Sequence, residues 1–136
     1  MAEYITREQF ITMLSQSELS SASEELISAG IFAGWLESED SLLRDKFIER
    51  RNVARIVHHF LLKVLKEQEI EDITPATKLK DLYDCRVCAN HIAQVYAKGI
   101  MEACKDNVFG LTEKLGAKEA QIIVDRVYDL QKRVII

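Results

Sequence analysis

Proline and glycine are scarce in this sequence, with one proline and five glycines among 136 residues. That scarcity excludes collagen-like repeats and the low-complexity segments in which these two residues accumulate. Hydrophobic residues make up 48% and charged residues 29% of the chain, a balance typical of a folded globular protein. A chain of this length suits one hydrophobic core, so we predict a single domain over residues 1–136.

Long hydrophobic runs and an excess of positive charge are also missing. No run approaches the roughly 18 apolar residues that cross a bilayer, which predicts no membrane insertion. The net charge of −4 offers no basic footprint, so nucleic acid is not expected as a partner. Residues 1–4 contain no basic segment before an apolar stretch, and three cysteines cannot all pair within one chain. These two features favour a cytoplasmic, reducing location.

Sequence signatures of enzymes are absent too. The chain has no glycine-rich phosphate loop, no Gly-x-Ser-x-Gly elbow and no His-Glu-x-x-His pair. Adjacent acidic residues such as Glu39 and Asp40 point in different directions on a helix or lie in a loop, so we expect both to be solvated. The sequence therefore predicts a protein that is not an enzyme and needs no cofactor.

Apolar residues recur at helical spacing along most of the chain. Helices are predicted over residues 6–17, 21–30, 49–68, 84–98 and 116–133. Thr6 and Ser21 begin capping patterns, and Gly30 and Gly99 stand where a left-handed residue ends a helix. We predict an all-α fold in which repeated helix–loop–helix units form a compact helical bundle around three longer helices.

An internal repeat underlies this layout. Ile5, Ile48 and Leu115 each precede a helix whose apolar residues fall five, eight and nine positions later. Those residues are Phe10, Met13 and Leu14; Val53, Ile56 and Val57; and Ala120, Ile123 and Val124. Any amphipathic helix produces such offsets, but a Gly-Ile turn also precedes the second and third helices, at 30–31 and 99–100. We therefore predict a half unit over 1–18 and full units over 19–68 and 72–133.

The three segments resemble motifs of the S-layer homology family. Ile-Thr-Arg-Glu-Gln-Phe at 5–10 and Ile-Glu-Arg-Arg-Asn-Val at 48–53 are similar to its Ile-Thr-Arg-x-Glu motif, and 30–34 is similar to its Gly-Ile-x-x-Gly turn. In the third unit, 79–82, 88–92 and 115–120 resemble the opening segment, the short helix and the motif. Ala117 stands there in place of the motif arginine.

This resemblance implies a non-catalytic module that binds an anionic cell-wall polysaccharide in grooves between units. Arg7 and Arg50 occupy the motif arginine positions, and Lys118 is a substitute beside Ala117. A guanidinium engages a carboxylate through two parallel hydrogen bonds, although a cation in the first turn of a helix is often solvated or paired with a carboxylate instead. Trp35 is expected either as a platform for a sugar ring or as a plug in the core.

A metal site is a further interpretation of Cys85, Cys88 and His91, whose spacing gathers two thiolates and an imidazole on one helical turn. Cys104 or His59 would be the fourth ligand. Structural zinc sites usually show a second paired cluster, and the sequence has none, so we predict no metal site. Cys88 then becomes a small core residue.

A second functional interpretation differs in class. The same scaffold would serve as an intracellular protein-interaction or self-association domain, because the incomplete first unit leaves an apolar helix face that a second copy could cover in a homodimer. Two cellular locations are therefore compatible with the sequence. The resemblance implies the cell surface, whereas the cysteines and the chain start favour the cytoplasm.

Overall fold

The computed structural model describes residues 3–16 and 23–135. Within these ranges the chain forms α-helices and two short 3-10 helices, at Thr74–Lys78 and Leu130–Lys132, and no strand or sheet. The α-helices are α1 (Arg7–Leu14), α2 (Ser23–Ala33), α3 (Ser38–Leu42), α4 (Arg50–Lys63), α5 (Arg86–Ala97) and α6 (Ala117–Tyr128). The predicted all-α fold is thereby confirmed.

Three extended segments, one before each of α1, α4 and α6, meet in the core through a closed ring of backbone hydrogen bonds. The N–H of Ile5 donates to the carbonyl of Leu115 at 3.0 Å, Leu115 donates to Ile48 at 3.1 Å, and Ile48 donates to Ile5 at 3.2 Å. All three side chains are buried. The positions aligned in the sequence repeat are thus the positions that meet in space.

A second set of three hydrogen bonds surrounds the ring and fixes the starts of the three helices. In each, the first residue of the helix donates its N–H to a carbonyl two positions before a ring residue of another segment. The bonds join Arg7 to Lys46 at 2.9 Å, Arg50 to Glu113 at 2.9 Å, and Ala117 to Glu3 at 3.0 Å. Because a helix leaves its first N–H groups unpaired, each segment supplies an acceptor that its neighbour's helix lacks.

Helix α1 is short, but its apolar face is covered by the chain itself. Phe10, Ile11 and Leu14 are fully buried, and both α2 and α6 pack against α1. The uncovered face that motivated a homodimer is therefore not found on α1. The division of the chain into a half unit and two full units stays a prediction.

The predicted end of α2 at Gly30 is wrong. The helix continues to Ala33, and Gly34, at a φ of 91°, takes the left-handed position that ends it. Gly30 instead allows close packing, since a Cβ there would lie 2.4 Å from Cδ1 of Leu36. The predicted cap at Ser21 lies outside the described residues.

Other helix boundaries differ by a few residues from the predicted ones. Helix α4 ends at Lys63 rather than residue 68, because Lys66 adopts a left-handed φ of 57°. A short helix, α3, occupies part of the predicted loop. Helix α5 ends before Gly99, whose φ is 75°, as predicted. Helix α6 ends at Tyr128 rather than residue 133.

Candidate functional site

Asp40 is a fully buried carboxylate that joins three helices. Arg55 of α4 donates to both of its oxygens, at 2.9 Å from Nη1 and 2.8 Å from Nη2. Arg7 of α1 donates to Oδ1 at 2.9 Å, and the backbone N–H of Glu37 donates to Oδ2 at 2.8 Å. The carboxylate of α3 is thus paired with two guanidinium groups, both of which are also buried.

The hydrogen bonds keep Asp40 charged. Burial alone raises the pKa of this carboxyl group, but the hydrogen bond and charge of Arg55 outweigh that effect, with contributions from Glu37 and Arg7, and the net pKa is lowered. The expectation that Glu39 and Asp40 are both solvated is wrong for Asp40. Neighbouring residues on a short helix point apart, so Asp40 faces the core while Glu39 stays exposed.

Arg50 is the second buried motif arginine. Its Nε donates to the carbonyl of Phe109 at 2.9 Å, and its guanidinium carbon lies 4.8 Å from the centre of the Phe109 ring. Its two other nitrogens donate to the Glu102 carbonyl and to the Glu119 carboxylate. Burial lowers the pKa of Arg50, and electrostatic interactions with Cys104, Glu113, Asp81 and Glu102 partly offset this effect.

Arg7 and Arg50, which stand at the predicted motif positions, each also bond to another of the helices that begin beside the ring. Arg7 donates from Nη2 to Oδ1 of Asn52 at 3.2 Å, and Arg50 pairs with Glu119. Asn52 and Glu119 are each the third residue of their helix. The arginines therefore cross-link α1 to α4 and α4 to α6, and both are paired with carboxylates, Arg7 with Asp40 and Arg50 with Glu119, while their ligand role stays a prediction.

A cavity of about 230 Å³ opens above Arg7, and we call it the first groove. Its lining consists mainly of charged and polar side chains: Arg7, Glu39, Leu43, Lys46, Phe47, Glu49, Arg51, Asn52 and Lys114. Four of them are cationic and two are acidic, so the groove carries a positive excess. Glu49 pairs with Arg51 at 3.0 Å and with Lys114 at 3.4 Å, and these contacts are only partly buried.

Aromatic side chains stand at the edge of the first groove. Phe47 is 50% exposed and packs edge-to-face against Tyr4, with 5.8 Å between ring centres. Trp35 is buried against Phe60 at 4.8 Å, so of its two expected roles it has the core position. Lys118 is exposed on α6.

Sequence reasoning missed Phe47, Lys114 and Tyr4 as groove or rim residues. The sequence contains a signal for them, since each immediately precedes one of the three residues of the hydrogen-bond ring, Ile5, Ile48 and Leu115. Successive side chains of an extended segment point to opposite sides, so a residue beside a buried ring position faces outward.

A second groove, with a volume of about 360 Å³, shares Glu39, Arg51 and Asn52 with the first. Its remaining lining residues are Glu37, Arg55, Cys85, Val87, Cys88 and His91. Cys85 and Cys88 form a disulfide bond, so their sulfur atoms are not available as thiolate ligands in this state. Within residues 3–16 and 23–135, no three His, Cys, Asp or Glu side chains are arranged to hold a metal ion.

The protein's three histidines come together between α4 and α5. Nδ1 of His58 lies 2.8 Å from Nδ1 of His91, and Nε2 of His58 lies 2.9 Å from the Glu69 carboxylate. The His59 ring is 4.9 Å from the His91 ring. Burial lowers the pKa of all three imidazoles, and together with the neighbouring histidine charges it lowers the pKa of His91 to about 4.

Comparison of the chain with protein-family models, characterised proteins and solved structures finds no match. No helix in the described part of the chain combines the length and apolar character needed to cross a bilayer.

We predict that Asp40→Asn strongly destabilises the protein. The substitution leaves Arg7 and Arg55 buried without their shared counter-charge, and breaking a buried pair in this way costs about 3–5 kcal/mol. Urea unfolding would measure the change in the free energy of unfolding. The matched control is Asp45→Asn, because Asp45 is exposed. Equal losses in the two variants would contradict a special role for Asp40.

We also predict that the free energy of unfolding falls as the pH is lowered from about 6.5 towards 4. The pKa of His91 is about 4 in the folded protein, so the unfolded chain binds a proton in this range that the folded chain does not. His58 and His59 act in the same direction, whereas the lowered pKa of Asp40 matters only at more acidic pH. His91→Gln should flatten this pH dependence in urea titrations. An unchanged slope in that variant would count against the histidine assignment.

Proposed function

We propose that this protein is a non-catalytic, S-layer-homology-like binding module whose ligand is an anionic, carboxylated cell-wall polysaccharide. The observation that carries the proposal is the first groove, where exposed cations surround an amide and an exposed aromatic ring. These are the groups that a carboxylated sugar requires: cations for its charge, an amide for its hydroxyl groups and an aromatic face for its ring carbons.

The cations at the groove rim would make the direct contacts. Arg51 and Lys114 have side chains that are 42% and 41% exposed, and both approach the same carboxylate, Glu49. A ligand carboxylate entering the groove would replace or share the position of Glu49. Arg51 can offer two parallel N–H groups, whereas Lys114 acts as a point charge. Phe47 would cover the apolar face of the sugar ring.

Arg7 and Arg50 would support the binding surface from buried positions. Their side chains are 5% and 3% exposed and are already bonded across the unit boundaries. In the proposed complex Arg7 forms the floor of the first groove, Arg50 lines a separate cavity of about 240 Å³ beside Glu102 and Glu119, and both hold neighbouring helices at the spacing that the ligand needs. Lys118 is the second residue of α6, as Arg51 is of α4, so it would serve as the corresponding rim cation of the third unit.

Two features support the family part of the proposal. The motif segments before α1, α4 and α6 meet in one ring, and each of the two motif arginines bonds to the third residue of the next helix. Repeated contacts of this kind are expected of repeated units. Ala117 stands at the third motif position and cannot form such a cross-link. The first groove has exposed cations beside its buried arginine, and we therefore propose it as the ligand site.

We predict that the double variant Arg51→Ala/Lys114→Ala loses roughly tenfold or more of its affinity for purified cell-wall polysaccharide, since two charge-assisted contacts are removed. Sedimentation with the polymer would measure bound protein. The control variant is Lys132→Ala, which changes an exposed lysine away from the groove. The control ligand is the same polymer after chemical reduction of its carboxyl groups.

The two controls test whether the loss of binding is specific to the rim cations and to the carboxyl groups of the polymer. Binding that survives the double variant, or that is equal for the native and carboxyl-reduced polymers, would contradict the proposal. These rim variants are preferable to Arg50→Ala, which removes a buried cross-link and would weaken binding through loss of structure.

Self-association is a second candidate function, and one observation favours it. Phe32 on α2 and Leu42 on α3 are 95% and 79% exposed, and these two helices pack against each other. Exposed apolar side chains on two neighbouring helices would supply apolar surface for a contact between copies of the chain. We expect a concentration-dependent dimer by sedimentation equilibrium, weakened by Phe32→Ser. A native protein that stays monomeric throughout the concentration series would exclude this function.

A further inference from the structure

The second groove contains a Cys-x-x-Cys disulfide at the start of a helix. Cys85 is the N-cap residue of α5, and Cys88 is the third residue of that helix. The backbone N–H of Cys88 donates to the carbonyl of Cys85 at 3.1 Å, so the two residues are also joined through the first turn. This pair has no part in the proposed binding of a glycan.

The disulfide contributes less to the stability of the fold than a cross-link between distant segments would. It closes a loop of only four residues, and the chain entropy that a disulfide removes from the unfolded state rises with the length of the loop it closes. The first turn of α5 already holds the two residues close together. A purely structural cross-link would be expected between distant segments instead.

The surroundings of the disulfide suit an exchange reaction. Cys85 and Cys88 are both partly exposed and line the open second groove. Cys88 packs against the hydrophobic core, whereas Cys85, the N-cap residue, is not among the residues packed against it. Core packing therefore restricts the approach of an incoming thiolate to Cys88 more than to Cys85.

Electrostatics favour the thiolate that such a reaction releases. The first turn of α5 contains no acidic residue, and the N-terminus of a helix carries a partial positive charge. Arg51 and Arg55 also line the groove. The acidic Glu37 and Glu39 face the same space, but both lie within 4 Å of Arg55 in ion pairs, at 3.9 and 3.5 Å. Because Arg55 is bonded to Asp40 and Arg51 to Glu49, the stabilisation of a thiolate here comes mainly from the start of the helix.

We propose that Cys85–Cys88 is a redox-active disulfide that exchanges with a dithiol. One thiolate of the dithiol attacks Sγ of Cys85, which forms a mixed disulfide, and the Cys85–Cys88 bond breaks with its electron pair on Sγ of Cys88. The second thiolate of the dithiol then attacks the first sulfur of the dithiol, which is bonded to Cys85 in the mixed disulfide, and Cys85 leaves as a thiolate. The protein gains two electrons and, at neutral pH, two protons, and the dithiol becomes a disulfide.

The first test equilibrates the whole chain, with Cys104 replaced by serine, in buffers of reduced and oxidised glutathione. Alkylation followed by mass spectrometry measures the dithiol fraction, and circular dichroism measures the fold. We expect reversible reduction within the glutathione range while the helices remain intact, unlike structural disulfides, which resist this couple. A disulfide that stays oxidised throughout, or that is reduced only as the protein unfolds, would overturn the proposal.

The second test uses Cys88→Ser, in which Cys85 is left as a free thiol and the exposed Cys104 serves as the internal reference. We expect Cys85 to react with an aromatic disulfide reagent at pH 6 at least about threefold faster than Cys104. This figure combines a tenfold larger thiolate fraction with the lower nucleophilicity of a less basic thiolate. In Cys85→Ser, the core-packed Cys88 should react more slowly than Cys85 does. Equal rates at Cys85 and Cys104 would contradict the accessible, stabilised thiolate at Cys85 on which the proposal depends.

Discussion

The closed ring of backbone hydrogen bonds among Ile5, Ile48 and Leu115 is the constraint on which the rest of the structure depends. A buried peptide group must find a partner, and here three short segments, none long enough to form a sheet, satisfy one another. Each bond contributes only about 1 kcal/mol net, but leaving one of these groups unpaired would cost about as much or more. The ring brings together residues that are far apart in sequence and fixes where three helices begin.

The grooves follow from the ring. Because each ring residue points inward, the residue before it points outward, which places Tyr4, Phe47 and Lys114 on the surface around the unit boundaries. The helices that start beside the ring then bring Arg51 and Asn52 to the same opening. One backbone arrangement thus sets both the spacing of the units and the position of the groups that the proposed glycan would contact.

Buried charge defines the contacts between units more than it adds to stability. Desolvating Asp40, Arg7 and Arg55 is costly, and their bidentate and shared hydrogen bonds offset much of that cost. The arrangement is satisfied only when α1, α3 and α4 lie in this one orientation. Arg50 similarly specifies how α4 meets α6, through Glu119. The same fold leaves the Cys85–Cys88 pair at an open groove, where local chemistry rather than long-range cross-linking gives it a role.

The helical class, most of the buried faces, the left-handed stop at Gly99 and the three repeat positions that form the ring were predictable from the sequence, because periodicity and turn chemistry are local properties. The sequence by itself did not determine that Asp40 faces inward, that Trp35 belongs to the core, or that His58 and His91 meet. Those facts depend on which faces of different helices pack together. Helical spacing shows that a residue lies on a face, but not which charge, ring or carbonyl will stand opposite it. Tertiary structure alone decided those partners, since long-range packing selects them to satisfy buried polar groups and to fill space.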